Sequence, residues 1–403
     1  MIPYGKQDIN QADIDAVLEV LHSDFLTQGP KVSLFENAVA KHCDAQYGVA
    51  VNSATSALHI ANLALGVGKN DIVWTSPITF VATSNSALYC GASIDFVDID
   101  LTTGNMCVDA LEQKLICAKK NSCLPKVIIP VHLAGQPCNM VAIHALAQQY
   151  NFKIIEDASH AIGASYQSKP VGNCQYSDIT VFSFHPVKII TSAEGGMALT
   201  NYSFLADKMN LFKSHGVTAD ESLMTEPSHG LWYYQQLTLG FNYRMTELQA
   251  ALGLSQLNRL DEFVKKRNTL AQKYNKAFSG TDIGFLKPLN GNVSSYHLYI
   301  VMLPEILVTE HKKIITELRS NKIFAHVHYI PIHLQPYYQT LGFKQGDYIQ
   351  AERYYRRAIS LPLHPNLTND EQNYIIYILK QLIDKAKQDV KHVLPNKQNR
   401  LNE

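Results

Sequence analysis

The chain has 403 residues, 17% of them charged and 46% apolar, and its 35 Lys+Arg balance 35 Asp+Glu to a formal net charge of zero. That composition is globular, and the length exceeds what one core fills, so two domains, or three, are expected. A zero balance argues against nucleic acid or an anionic membrane as the main partner, because both need a basic excess. It leaves room for a local pocket that binds a small phosphate.

The N-terminal MIPYGKQDINQAD has no basic stretch followed by an apolar one, and no run of about 18 apolar residues occurs, so neither a signal peptide nor a membrane span is expected. Asn10 is placed to cap a helix over 10–22, in which Ile14, Val17, Leu18 and Leu21 recur at helical spacing. From 48 to 200, short apolar runs (GVAVNS, DIVWTS, SIDFVDID, KVIIPVH, KIIEDAS, DITVFSF, GGMALT) alternate with helical segments such as 55–65 and 138–150. Runs that are apolar on both faces suit strands covered by helices on each side, which predicts an α/β domain with a mostly parallel sheet. Residues 246–280 read as one or two long helices. Beyond them lie strand-like HLYIVML (297–303), a helix near 308–320, strand-like FAHVHYIPIH (324–333), and a last helix opened by a Thr368/Glu371 capping box. The expected division is a large α/β domain over 1–255, a smaller α+β domain over 256–390, and a polar tail over 391–403. Seven Cys are scattered without a C-x-x-C pair and read as reduced cytoplasmic thiols, with no disulfide frame and no metal spacing.

Three features carry chemistry. Ser53-Ala54-Thr55-Ser56 lies between a strand and a helix, where free N–H groups can hold a phosphate, although simple capping by a hydroxyl gives the same pattern. Glu156-Asp157-Ala158-Ser159-His160 ends a strand, where α/β folds place ligands and where turn acids are also common. Lys188 follows a strand in an apolar stretch, with Glu194-Gly195-Gly196 after it. A partly buried lysine loses its proton readily and can form a Schiff base, and the glycines allow close backbone approach; a surface lysine is the bland alternative. In this order, a phosphate cradle, an acid and a lysine are the parts of a pyridoxal-phosphate enzyme.

The stretches NSATSAL (52–58), TFVATSN (79–85), VH-x-x-GQP (131–137), EDASHAIGA (156–164), FSFHPVKIITSAEGG (182–196) and GFNYRMTELQAALG (240–253) resemble the DegT/DnrJ/EryC1/StrS family of sugar aminotransferases. The resemblance runs from about residue 3 to 385. It implies the fold-type-I architecture of aspartate aminotransferase and a pyridoxal 5′-phosphate cofactor. It implies that Lys188 holds the cofactor aldehyde, that Asp157 pairs with the pyridine nitrogen and that His160 reaches the ring hydroxyl. Phe80 would stack on the ring, and Ala54, Thr55 and Ser183 would contact the phosphate. Asn242 would reach the phosphate from a second subunit, so a homodimer with shared sites is implied. Family members with His in place of the lysine are dehydratases; Lys188 favours transamination. Ser159 stands where members mostly have Ala, which could alter a hydrogen bond near the ring.

IPYGKQDI (2–9), DFLTQGP (24–30) and HVHYIPIHLQPYY (326–338) resemble the pseudaminic-acid branch of the family. That branch aminates C4 of UDP-2-acetamido-2,6-dideoxy-β-L-arabino-hexos-4-ulose, with L-glutamate as donor and 2-oxoglutarate as coproduct. By the same resemblance Tyr4, Asp24, Phe25, Leu26, Thr27, Ala54, Asn242, His326, Val327, His328 and Tyr329 would line the sugar-nucleotide site. His326, His328 and His333 lack a third metal ligand fixed by spacing, so no metal is expected. Arg244 is a candidate partner for an acid or phosphate, or an interface ion pair, and Glu194 is read as support for the lysine loop. The alternatives are another nucleotide-linked 4-keto sugar, such as a D-sugar or UDP-4-keto-arabinose, and a non-catalytic regulator that uses the same fold.

Overall fold

The computed structural model describes the backbone of residues 1–399 and the side chains of residues 1–390. Seven strands make the central sheet: β1 (Tyr47–Val51), β2 (Ile72–Thr75), β3 (Ser93–Phe96), β4 (Val127–Ile129), β5 (Lys153–Asp157), β6 (Ile179–Ser183) and β7 (Gly196–Thr200). Their spatial order is β1–β7–β6–β5–β4–β2–β3. β7 runs antiparallel to both neighbours and the remaining pairs are parallel. Every residue of β6 and β7 is buried, as helices on both faces require.

The helices that frame the site are α1 (Gln11–Leu21), α2 (Pro30–Cys43), α3 (Ala54–Ala64), α4 (Ala82–Tyr89) and α5 (Glu247–Leu257). Asn10 caps α1 in a reciprocal box with Asp13, and Thr246 caps α5 in one with Gln249. The carboxylate of Glu247, 1% exposed, accepts the N–H groups of Lys31 at 2.7 Å and Val32 at 3.1 Å. It therefore caps α2 from another helix and adds negative charge at its N-terminus.

A second, antiparallel sheet joins β8 (Gly284–Phe285), β9 (Tyr299–Met302) and β10 (Ala358–Leu361). It shares a core with the helix Leu260–Phe278, the helix His311–Ser320 and the C-terminal helix Asn369–Asn399. The Thr368/Glu371 box is present, with Thr368 N–H to Glu371 at 2.9 Å and Glu371 N–H to Thr368 at 3.2 Å. The expected tail over 391–403 continues this helix in its backbone to Asn399, and its last residues lie outside those described. Ile2 belongs to the same core, because its N–H bonds Lys322 O at 2.8 Å and its carbonyl accepts from Phe324 at 2.9 Å.

The segment 324–333 is not the strand its apolar alternation suggests. It pairs with β10 at His326 and Ser360 alone. Val327 N–H goes to the Nδ1 of His326 at 2.8 Å instead of to a neighbouring strand, and Pro331 has no N–H to give.

Candidate active site

Strands β4, β5 and β6 end side by side and open onto a cavity of about 570 Å³. Open α/β sheets form ligand sites at this end. Asp157 and Ser183, the last residues of β5 and β6, both line it.

One wall is the start of α3. The Ser53 hydroxyl accepts from Ser56 N–H at 3.1 Å, so this side chain caps the helix. Ala54 and Thr55 line the cavity, and their first-turn N–H groups have no intrahelical acceptor. Together with the helix dipole they form an anion site. β7 passes directly behind: a Cβ on Gly196 would lie 2.5 Å from Ala54 N and from the carbonyl carbon of Ser53. Only glycine lets the strand come this close, the approach anticipated for the glycines after Lys188.

Lys188 lies on the loop between β6 and β7. Burial lowers its pKa from 10.5 to about 8, against the opposing pull of the Asp157 carboxylate. An appreciable fraction of this amine is neutral and nucleophilic at ordinary pH. Asp157 is 4% exposed, and each of its oxygens is held. Oδ2 accepts the Thr83 hydroxyl at 2.7 Å, and Oδ1 accepts Ser159 N–H at 3.1 Å.

The opposite wall comes from the N-terminal segment and the segment after residue 325. The Tyr4 ring lies 5.7 Å from His326 and 5.1 Å from His328. His328 Nδ1 is 2.9 Å from the Ser360 hydroxyl. Burial, with His326 and Lys188 nearby, lowers the His328 pKa to about 3, so this imidazole is neutral. His160 is also neutral, because burial, Lys188 and His328 hold its pKa well below 6.5. Its Nδ1 accepts Ala134 N–H at 3.3 Å, which assigns the ring proton to Nε2, and Nε2 is 3.1 Å from the Tyr329 hydroxyl oxygen. Nε2–H thus donates to Tyr329, whose own O–H stays available. Burial, Tyr4 and Asp157 push the Tyr329 pKa up, which keeps that phenol protonated.

The structure brings Tyr4, Ala54, Thr55, Phe80, Asp157, His160, Ser183, Lys188, His326, His328 and Tyr329 together around this cavity. It does not bring Asp24, Phe25, Leu26, Thr27, Asn242, Val327 or Arg244 there. Residues 24–27 are exposed and run beside α5, with Thr27 bridging Thr246 and Leu26 O accepting Glu247 N–H at 3.0 Å. Asn242 is exposed, and its carbonyl is 3.4 Å from Asn52 Nδ2. Val327, between the lining residues His326 and His328, does not itself line the cavity. Arg244 bridges to Val51 at the end of β1. Glu194 does line the cavity, with a carboxylate oxygen 4.0 Å from His185 Nε2. Thr79, Thr83 and His185 also line it and were not singled out in the sequence. Thr83 sits within TFVATSN, yet its partner Asp157 is 74 residues away, and nothing local announces the pair.

An anion-binding helix start, a buried carboxylate and a lysine of lowered pKa in one cavity fit a cofactor that carries a phosphate, a pyridine nitrogen and an aldehyde. The comparisons with known proteins agree. The model of the DegT/DnrJ/EryC1/StrS aminotransferase family matches residues 7–380. The chain is 36% identical, over 96% of its length and 99% of the relative's, to the UDP-4-amino-4,6-dideoxy-N-acetyl-β-L-altrosamine transaminase of Campylobacter jejuni. It is 37% identical, over 96% and 98%, to the spore coat polysaccharide biosynthesis protein SpsC of Bacillus subtilis. Among solved structures, Helicobacter pylori PseC, an aminotransferase of pseudaminic acid biosynthesis, superposes with a TM-score of 0.87 at 34% identity, covering 95% of this chain and 99% of that one. The seven-stranded sheet with its smaller partner sheet is accordingly the fold-type-I architecture. The chain belongs to the DegT/DnrJ/EryC1/StrS aminotransferase family and is a pyridoxal-phosphate-dependent sugar aminotransferase.

Proposed function

We propose that this enzyme transfers the amino group of L-glutamate to C4 of UDP-2-acetamido-2,6-dideoxy-β-L-arabino-hexos-4-ulose. The products are UDP-4-amino-4,6-dideoxy-N-acetyl-β-L-altrosamine, a precursor of pseudaminic acid, and 2-oxoglutarate. The observation that carries this reading is the convergence of Lys188 and Asp157 with Tyr4, His326, His328 and Tyr329 on one cavity. The two transaminase relatives reported above support the choice of sugar.

Bound pyridoxal phosphate supplies an aldehyde that carries the amino group between substrates and a ring that withdraws electrons from the reacting carbon. The chain's own groups do the rest. Ala54 and Thr55 N–H and the Ser183 hydroxyl would hold the phosphate. Asp157, fixed at both oxygens, keeps a proton on the ring nitrogen. Phe80 would pack against the ring face. Lys188 Nζ would move a proton from the donor's α-carbon to the carbon of the cofactor's aldehyde, and in the second half-reaction from that carbon to C4 of the sugar, which its lowered pKa permits. His160 would serve the ring hydroxyl through the Tyr329 O–H, whose oxygen its Nε2–H holds. Glutamate and the keto sugar use the cavity in turn, and 2-oxoglutarate leaves before the sugar enters.

We further propose a homodimer whose sites are completed across the interface. Among the described residues, the cavity wall holds one lysine and no arginine, with Asp157 and Glu194 as acids. Its proposed ligands are a phosphate ester, a dicarboxylate and a diphosphate, and their charge needs further donors. Asn242, Arg244 and residues 24–27 lie outside their own chain's cavity and near one another, as residues serving a partner's site would. Apolar surface beside them supports an interface: Ile14, Leu18 and Leu21 of α1 are 46, 45 and 52% exposed. A cytoplasmic location suits both substrates, and no helix among the described residues is long and apolar enough to cross a membrane.

The test is a substrate panel with L-glutamate. The L-arabino 4-keto sugar should turn over best; equal or better turnover of a UDP-4-keto-D-sugar or UDP-4-keto-arabinose overturns the assignment. The similarity to SpsC favours one second reading, a different nucleotide-linked 4-keto sugar.

A further inference from the structure

We infer that Thr83 is a positioning residue: its hydroxyl orients the Asp157 carboxylate toward the cofactor's ring nitrogen. Thr83 is 1% exposed, so no water competes for its proton. Its oxygen has three neighbours within hydrogen-bond reach: Asp157 Oδ2 at 2.7 Å, Thr79 Oγ1 at 2.8 Å and Phe80 O at 3.2 Å. A hydroxyl has one proton and two lone pairs. The carboxylate is a pure acceptor and the nearest of the three, and a charge-assisted bond is the stronger one. The proton therefore goes to Asp157, and Thr79 must donate to Thr83. The direction of the chain is fixed as Thr79 to Thr83 to Asp157.

The placement gives this chain a purpose beyond packing. Ser159 N–H already holds Oδ1, so the Thr83 bond is the second restraint that fixes the plane of the carboxylate. Thr83 also sits one turn beyond Phe80, with Thr83 N–H on Phe80 O at 3.2 Å. One short turn thus sets both the aromatic platform and the acid that faces the ring edge. Without the hydroxyl, Oδ2 is buried without a donor and the carboxylate is free to rotate off the ring nitrogen. The inference rests on the pairing of Asp157 with that nitrogen.

The test measures cofactor binding to the apoprotein by fluorescence quenching, for the wild type, Thr83→Val and Thr83→Ser. Each binds pyridoxal phosphate and, separately, its 1-deaza analogue, in which carbon replaces the ring nitrogen. Thr83→Val keeps the shape and loses the donor, so pyridoxal phosphate should bind roughly 10- to 100-fold more weakly, the scale of one lost hydrogen bond to a charged group. Thr83→Ser should bind within about threefold of wild type, and the Val penalty should largely vanish with the deaza analogue. An equal penalty on both cofactors, or a Ser variant as weak as Val, overturns the inference and leaves Thr83 a packing residue. Wild-type protein that binds both cofactors equally overturns the Asp157 pairing instead. If Thr83→Val does not fold, Thr79→Val replaces it. That change removes the donor behind Thr83 and should weaken pyridoxal phosphate a few-fold while sparing the analogue; no difference between the two overturns the inference.

Discussion

Lys188 is where the site's chemistry and the protein's stability oppose each other. Its amine is more basic in the unfolded chain, at about 10.5, than in the fold, at about 8. Between these values the unfolded state binds the extra proton, so stability rises with pH across that window, and the full cost is present below about pH 8. The apo form of Lys188→Met should therefore be more stable than wild-type apoprotein at pH 7, by about 1–3 kcal/mol, and the gap should close toward pH 10. Urea unfolding of both apoproteins at the two pH values checks this; a gap that does not change with pH removes the account of a lowered pKa. The three features read from the sequence, 53–56, 156–160 and Lys188, were legible because each follows an apolar run, at the sheet end where α/β folds put their ligands. Thr83 and Tyr329 were not legible as partners of Asp157 and His160, because those pairings follow from packing between segments far apart in sequence.

At the level of elements, two close approaches decide the geometry. β7 can lie against the start of α3 because residue 196 has no Cβ. Gly196→Ala should push the 53–54 turn away and weaken cofactor binding about tenfold or more, the scale of one or two lost charge-assisted bonds. Unchanged cofactor affinity in that variant would mean the turn does not hold the phosphate. Glu247 caps α2 from α5 by accepting the backbone N–H groups of Lys31 and Val32. Glu247→Ala leaves two half-buried N–H groups without this acceptor and should cost about 1–3 kcal/mol in chemical denaturation; a loss below about 0.5 kcal/mol, the usual effect of a surface change, would contradict the cap. The strands from 48 to 200 and the final capping box were readable from period and punctuation. The 324–333 segment misled, because alternation of apolar and polar residues also occurs where alternate side chains face a cavity wall rather than a sheet. The cap on α2 is invisible in sequence, since its donor and acceptor are more than 200 residues apart.

For the whole molecule, we propose the division of the chain near residue 256; Tyr299 and Val301 of the smaller sheet lie in the core that holds Ile2, and Ile300, Met302 and Ala358 pack in a second cluster with Ile78, Ile99 and Leu133 of the larger part. Ile2 ties the N-terminus into the smaller core, so the first residues cross from one sheet to the other before reaching α1. Four buried histidines are kept neutral by burial. His328 is lowered to about 3 and His364 to about 4, while His160 and His297 lie well below 6.5. In the unfolded chain these groups take up protons below about pH 6.5, and in the fold they do not, so stability falls as pH drops through that window. For His364, neither of whose ring nitrogens has a hydrogen-bond partner among the described residues, the loss at pH 5 is up to about 2 kcal/mol. His364→Leu should accordingly lose less stability than wild type between pH 7.5 and 5 in urea titrations; an equal loss would show that this imidazole does not sense the pH.

The central claim is that one cavity, built around Lys188, carries nitrogen from glutamate to a sugar carbon. The most direct measurement follows that nitrogen. Purified enzyme is given 15N-labelled L-glutamate and the UDP-linked L-arabino 4-keto sugar, and the products are read by mass spectrometry and NMR. The expected result is 15N on C4 of the sugar nucleotide, with one 2-oxoglutarate formed per amino sugar and no transfer by Lys188→Ala. Unlabelled amino sugar, or labelled product from Lys188→Ala at the wild-type rate, would contradict it.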